Sequence, residues 1–273
     1  MIPYTLIIPS ASRPHLLEKV LTSFFRHADQ RPVKLLLHDD AVFPNKRGLV
    51  EAALLFAVPA EVPVVWQYDS PPIKHGPALH WLLDRVDTEY CLYTQDDHEI
   101  VRDLPIAEAL GLLDRYGLNQ IRFNKRDTLD KKGREGEEFH KVEHTFNLGA
   151  HTLCAADHWY FQCGVWRVAA IKPVVDWWMS PAGSAQGAFG EHCEVKINQV
   201  MNGQWNHVIP KLGPHVPWID LPEVWNQPEI RARIHKTFIW GKIGEPRFVE
   251  HIGHLPEDWA LERANRDPQQ RQV

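Results

Sequence analysis

Long apolar runs are missing from this 273-residue chain. Nothing approaches the about 18 consecutive apolar residues of a membrane-spanning helix, so no transmembrane anchor is expected. The opening residues 4–8 read as a strand, with no basic region, apolar core or cleavage site, so no secretory leader is expected either. Cysteine is scarce: Cys91, Cys154, Cys163 and Cys193 stand far apart without a C-x-x-C pair. That excludes a disulfide framework and leaves reduced thiols in a cytoplasmic protein as the expectation. Cys154, with His151 and His158 nearby, lacks the second matching pair that a structural zinc site needs. A dominant charge is lacking too. The net charge of -5 and the pI near 6.3 offer no general pull toward nucleic acid or an anionic membrane. Internal repeats and low-complexity segments are absent.

What the chain does have is alternation. Residues 4–8, 33–37, 62–68 and 90–93 are short apolar runs of strand character. Between them, 16–25, 48–56 and 78–86 place apolar residues at helical spacing, with Ser12 as a candidate N-cap and Pro14 in the first turn. Strands alternating with helices predict an α/β layered sheet, mostly parallel. Ligands in such sheets sit at the carboxyl ends of the strands. Polar groups gather at three of those ends: Ser10 to Arg13, Asp39 with Asp40, and Asp96 to Glu99. The last is the most informative. A buried strand, Tyr90-Cys-Leu-Tyr93, runs into Asp96, Asp97, His98 and Glu99, a rigid edge of hard ligands suited to a divalent metal and a phosphate-bearing substrate.

The later chain is less regular. Residues 106–116 read as a helix and 120–123 as a strand, followed by a charged segment, 122–143, in which bases and acids nearly balance. That segment reads as a solvated loop, with an acceptor-binding lid as the second reading. Phe189-Gly-Glu-His-Cys-Glu194 opens a helix, and Val208-Ile-Pro210 is a short strand. Trp159, Trp166, Trp177 and Trp178 are expected chiefly in the core, an acceptor-stacking platform being the alternative.

Taken in order, these segments resemble a GT-A glycosyltransferase, nearest the inverting family-two glycosyltransferases. Thr5-Leu-Ile-Ile-Pro-Ser-Ala-Ser-Arg-Pro14 resembles the family's first strand and turn, and Leu35-Leu-Leu-His-Asp-Asp40 its second strand. Gly76-Pro-Ala78 resembles the segment before the metal motif, which falls on Gln95-Asp96-Asp97, with Gln95 in place of the first acid. Phe189 to Glu194 resembles the acidic helix start, with His192 where a second acid is common, and Val208 to His215 the later strand and histidine. The match runs over about residues 4–215. It implies a GT-A-like, Rossmann-like sheet with a nucleotide-sugar-binding half (1–100), an acceptor and catalytic half (101–215), and a Trp- and Pro-rich extension (216–273) packed on the body.

The resemblance further implies a metal-dependent inverting transfer from a nucleotide diphosphosugar, a UDP-sugar favoured, to a hydroxyl acceptor. Asp97 would bind Mn²⁺ or Mg²⁺, with His215 a second ligand or diphosphate clamp. Pro9, Ser10, Arg13, Asp39, Asp40, Gly76 and Asp96 would line the donor: Asp40 at the base, Asp39 near the ribose, Asp96 on ribose or a metal-bound water. Glu191, Glu194 or His192 would deprotonate the acceptor. Saccharide or another small-molecule hydroxyl is the first acceptor class and a hydroxymethylated DNA base the second. Two other readings stand beside it. A sugar-nucleotide nucleotidyltransferase would carry a Gly-rich loop after the first strand, and Ser10 to Pro14 has no glycine. A non-catalytic nucleotide- or sugar-binding protein is consistent with Gln95 and His192.

Overall fold

The protein was studied as a computed structural model, which describes residues 1–69, 73, 75–123, 145–148, 151–155, 159, 161–180, 237–241 and 246–253. Four strands, β1 (Tyr4–Ser10), β2 (Lys34–Asp39), β3 (Val64–Tyr68) and β4 (Tyr90–Tyr93), pair in parallel in the order β3-β2-β1-β4. Helix α1 (Pro14–His27) links β1 to β2, α2 (Arg47–Ala57) lies between β2 and β3, and α3 (His75–Asp84) crosses back from β3 to β4. The chain therefore leaves β1 on one side and returns on the other. That reversal opens a crevice at the carboxyl ends of β1 and β4.

Alternation along each strand sorts the side chains into two cores. Tyr4, Leu6, Ile8, Leu35, Leu37, Tyr90 and Leu92 pack with α1, α2 and α4 (Ile106–Tyr116). Ile7, Leu36, Cys91 and Tyr93 face the other way, onto α3 and α5 (Val168–Met179). Both faces are covered, which is why these strands read as unbroken apolar runs rather than alternating ones.

Beyond β4 the sheet continues through β9 (Gly164–Arg167), β6 (Gln120–Arg122), β10 (Thr237–Trp240), β8 (His151–Ala155) and β7 (Thr145–Leu148) to nine strands. Pairing makes β9 antiparallel to β4 and β6, and β8 antiparallel to β10 and β7, so the remaining seven strands share one direction. A separate ribbon joins β5 (His98–Ile100) to β11 (Val249–His251) in antiparallel register, with Glu250 opposite Glu99 and His251 opposite His98. The segment after 216 thus contributes one strand to the central sheet and another to this ribbon. Residues 124–144 of the charged segment lie outside the described residues.

One detail differs from expectation. Ser12 is not the cap of α1: the helix begins at Pro14 with Arg13 as N-cap, and the Ser12 hydroxyl is committed to Asp39 instead. Trp159, Trp166 and Trp178 lie in the core as expected, 1%, 0% and 2% exposed. Trp166 stacks on Tyr93 with ring centroids 4.4 Å apart, inside the core.

Candidate active site

The carboxyl ends of β1, β2 and β4 bring three acids together. Ser10 Oγ lies 2.8 Å from Asp39 Oδ2 and 3.0 Å from Asp96 Oδ2, bridging strands β2 and β4 from the end of β1. Asp39 also accepts from the Ser12 hydroxyl (2.7 Å), the Ser12 backbone N–H (3.0 Å) and the Ala41 N–H (2.9 Å). Ser12 and Ala41 both have left-handed backbones, φ 57° and 43°, so Asp39 pins two strained turns. With both oxygens engaged and no exposure, Asp39 shapes the loop rather than presenting itself to a ribose. Asp40, next to it, faces the crevice and accepts from the Ile73 N–H.

At the end of β4, Asp96 is held on all sides. Arg13 grips it as a fork, through Nη2 to Oδ1 and Nε to Oδ2 (3.2 Å), and the Ala11 N–H adds a bond of 3.0 Å. The same guanidinium reaches Asp97, with Nη1 3.1 Å from Oδ2. Burial raises the Asp96 carboxyl above its usual range, against the pull of Arg13. Burial would raise Asp97 too, but the His251 hydrogen bond, Arg13 and His98 outweigh it and hold that carboxyl well below the usual range.

Among the described residues, Asp97, His98 and His251 form a group whose ligand atoms lie within 4.8 Å of one another. His251 Nε2 is 3.0 Å from Asp97 Oδ2, and His98 Nε2 is 3.9 Å from Oδ1. No hydrogen-bond donor among the described residues reaches Asp97 Oδ1, although the atom is buried. An orphaned carboxylate oxygen is costly, and a cation would satisfy it. The donor set, one carboxylate with two imidazoles beside it, fits a divalent transition-metal ion. Gly253 closes the corner: a Cβ there would meet Asp97 Oδ2 at 2.5 Å and Arg13 Nη1 at 2.9 Å. The Ile252 N–H donates to the Asp97 carbonyl (2.9 Å), and Ile252 packs on Leu16 and Val20 of α1.

Beside this corner lies an open cleft of about 470 Å³, counted out to its mouth. Pro9, Ser10, Arg13, Asp40, Gln95 and Asp96 line it, with His75 and Ala78 from the start of α3. Gly76 is not one of the lining residues. It is buried against α5, where a Cβ would strike the Trp178 ring at 2.2 Å, so the absence of a side chain serves helix packing.

Of the expected donor residues, Pro9, Ser10, Arg13, Asp40 and Asp96 thus meet at one cleft, whereas Asp39 and Gly76 face inward. Arg13 is spanned between carboxylates rather than presented to a phosphate. Glu191, His192, Glu194 and His215 lie outside the described residues. His98 stood in the sequence reading as part of the metal-suited edge after β4, whereas His251 had no assigned role and Gln95 stood only as a missing acid. Phe248-Val-Glu-His251 is a short apolar run ending in a histidine, a signal too common to single out.

No protein-family model matches the chain, and no curated protein matches it. Solved structures do resemble it. TarS 1-349 of S. aureus in complex with UDP-GlcNAc is 14% identical over 63% of this chain and 47% of that one, with a TM-score of 0.45. A mannosyltransferase of Pyrobaculum calidifontis in complex with GDP-Man and Mn²⁺ is 18% identical over 46% of this chain and 37% of that one, TM-score 0.41. Mouse xyloside xylosyltransferase 1, apo form, is 11% identical over 92% of this chain and 97% of that one, TM-score 0.45. The chain spans less than half the length of the first two. At these scores the assignment rests on the chain's own topology: the β3-β2-β1-β4 order, the reversed β9, and the acidic corner after β4 make this an α/β, GT-A-like fold.

Proposed function

We propose that the protein is an enzyme, a metal-dependent inverting glycosyltransferase that moves a sugar from a nucleotide diphosphosugar to an acceptor hydroxyl. The observation that carries this reading is Asp97 Oδ1, buried beside His251 with no donor among the described residues, directly after Asp96 of the cleft wall at the switch point of the sheet. Asp97 and His251 would hold the metal, with His98 adjoining; His251 then takes the part expected of His215. Imidazole ligation favours Mn²⁺ over Mg²⁺, which prefers oxygen. When bound, such an ion neutralises charge developing on a departing diphosphate.

The chain's own residues divide the remaining work. Arg13 fixes Asp96 and Asp97 and favours their ionised forms, against burial at Asp96. Asp40, on the cleft wall, accepts from the base of the nucleotide, for which uracil is favoured. Glu191, His192 or Glu194 takes the proton from the acceptor. A saccharide hydroxyl is the first acceptor class; a hydroxymethylated DNA base is the second, separated from it by salt-sensitive binding to duplex DNA. Among the described residues, Cys91, Cys154 and Cys163 are buried and outside any disulfide, which supports a reducing, cytoplasmic setting. No helix of the described residues is long and apolar enough to cross a membrane.

One observation favours a second reading. Arg13 Nη1 already sits 3.1 Å from Asp97 Oδ2, as a built-in cation would in a non-catalytic nucleotide-binding protein. Calorimetric titration of UDP with and without Mn²⁺, repeated on Asp97→Asn, separates the two. Metal-dependent binding lost in the variant supports the transferase. Metal-independent binding in both proteins favours the second reading, and failure of UDP, GDP and CDP alike sinks both.

A further inference from the structure

Two side chains on the cleft wall, Gln95 and His75, are linked through the buried Tyr93. Gln95 Nε2 lies 3.0 Å from the Phe161 carbonyl and 2.9 Å from Tyr93 Oη. A backbone carbonyl only accepts, so the amide end facing Phe161 is the NH₂, and its two protons go to Phe161 O and Tyr93 Oη. Tyr93 Oη accepts from Gln95 and lies 3.1 Å from His75 Nε2, and we assign its proton to that contact, Nε2 accepting. His75 Nε2 accepts, so the ring is neutral and carries its proton on Nδ1. Burial, which depresses the His75 pKa to about 4, agrees with a neutral ring. Stacking against Tyr93 and contact with Phe161 hold the imidazole in place.

What remains for the cleft is then defined in sign. Gln95 offers Oε1, an acceptor, and His75 offers Nδ1–H, a donor; both residues line the cleft. An acceptor and a donor on one wall suit sugar hydroxyls, which give one hydrogen bond and take others. Phosphate oxygens only accept and would be repelled by Oε1. An acid in place of Gln95 would instead set two acceptors against each other at Phe161. We propose that Gln95 and His75, oriented by Tyr93, form a hydroxyl-reading pair that selects the sugar portion of a nucleotide ligand. This rests on the nucleotide-sugar reading of the cleft and assigns that reading a specificity element.

The hydroxyls come from the ribose or from the transferred sugar, and one experiment distinguishes them. Calorimetry with Mn²⁺ first establishes which of UDP, GDP, CDP and ADP binds. That nucleotide is then compared with its 2′-deoxy and 3′-deoxy forms, and with its glucose, galactose, mannose and xylose conjugates. The comparison is made in wild type, Gln95→Met, His75→Phe and the near-isosteric Tyr93→Phe, each checked by thermal melting. The expected result is about tenfold discrimination in wild type, collapsing to within about twofold in Gln95→Met while Mn²⁺ dependence persists. Collapse in the deoxy series assigns the pair to the ribose; collapse in the conjugate series assigns it to the transferred sugar. Wild-type discrimination that survives unchanged in folded variants overturns the proposal and leaves the nucleotide reading intact, as does a wild type that does not discriminate. Absence of all nucleotide binding overturns both.

Discussion

His251 Nε2 lies 3.0 Å from Asp97 Oδ2, though 154 positions separate the two residues. The contact exists because β11 pairs with β5, the strand that follows Asp97 directly, and because Ile252 ties its backbone to the Asp97 carbonyl. The acidic corner is therefore finished by a segment near the end of the chain.

His251→Ala should weaken Mn²⁺ binding by at least about tenfold and Mg²⁺ binding far less, since Mg²⁺ gains little from an imidazole. Mn²⁺ titration followed by electron paramagnetic resonance measures both, with Mg²⁺ as competitor. Equal losses for the two ions would remove His251 from the ligand set.

Arg13→Gln strips the counter-charge from two buried carboxylates. Losing one partner of such a pair costs about 3–5 kcal/mol, which denaturant unfolding would read. Saturating Mn²⁺ should raise the melting temperature of this variant more than that of wild type, because the ion replaces the missing positive charge. A variant as stable as wild type would show that Asp96 and Asp97 do not need the guanidinium.

Gly253→Ala presses a methyl group against Asp97 and Arg13. Overpacking of this kind costs about 1–3 kcal/mol, and here it displaces the carboxylate that faces His251. Mn²⁺ affinity should fall along with stability. By contrast Gly76→Ala, which strikes Trp178 away from the corner, should lower stability and spare Mn²⁺ affinity.

His75 predicts a pH dependence. Its pKa is near 4 in the folded protein and 6.5 in the unfolded chain, so the unfolded state binds more protons between those values. Stability contributed by the neutral ring is complete above pH 6.5 and declines as pH falls toward 4. The loss is about 2–3 kcal/mol. His75→Gln should flatten that part of the profile in urea unfolding, whereas Asp97, held below the usual carboxylate range, acts only at lower pH. An identical slope in the variant would contradict the buried neutral imidazole.

The alternation of residues 4–93 foretold β1 to β4 and their helices to within a few residues, because the periods of burial are local properties of the chain. The Ser10, Asp40 and Asp96–Asp97 groups were legible for the same reason: a strand buried on both faces has one end where polar residues collect. Helix α5 was not foreseen, since Pro173 lies inside it and interrupts the helical pattern.

Sequence alone thus determined an α/β sheet with an acidic corner at the carboxyl end of its fourth strand. Tertiary structure decided which acids turn inward, as Asp39 does toward Ser12 and Ala41, and which keep an oxygen available, as Asp97 does. It also decided that His251 completes the corner. Pairing between β5 and β11 runs through backbone groups that every residue carries, so no local pattern announces which distant strand will supply a ligand.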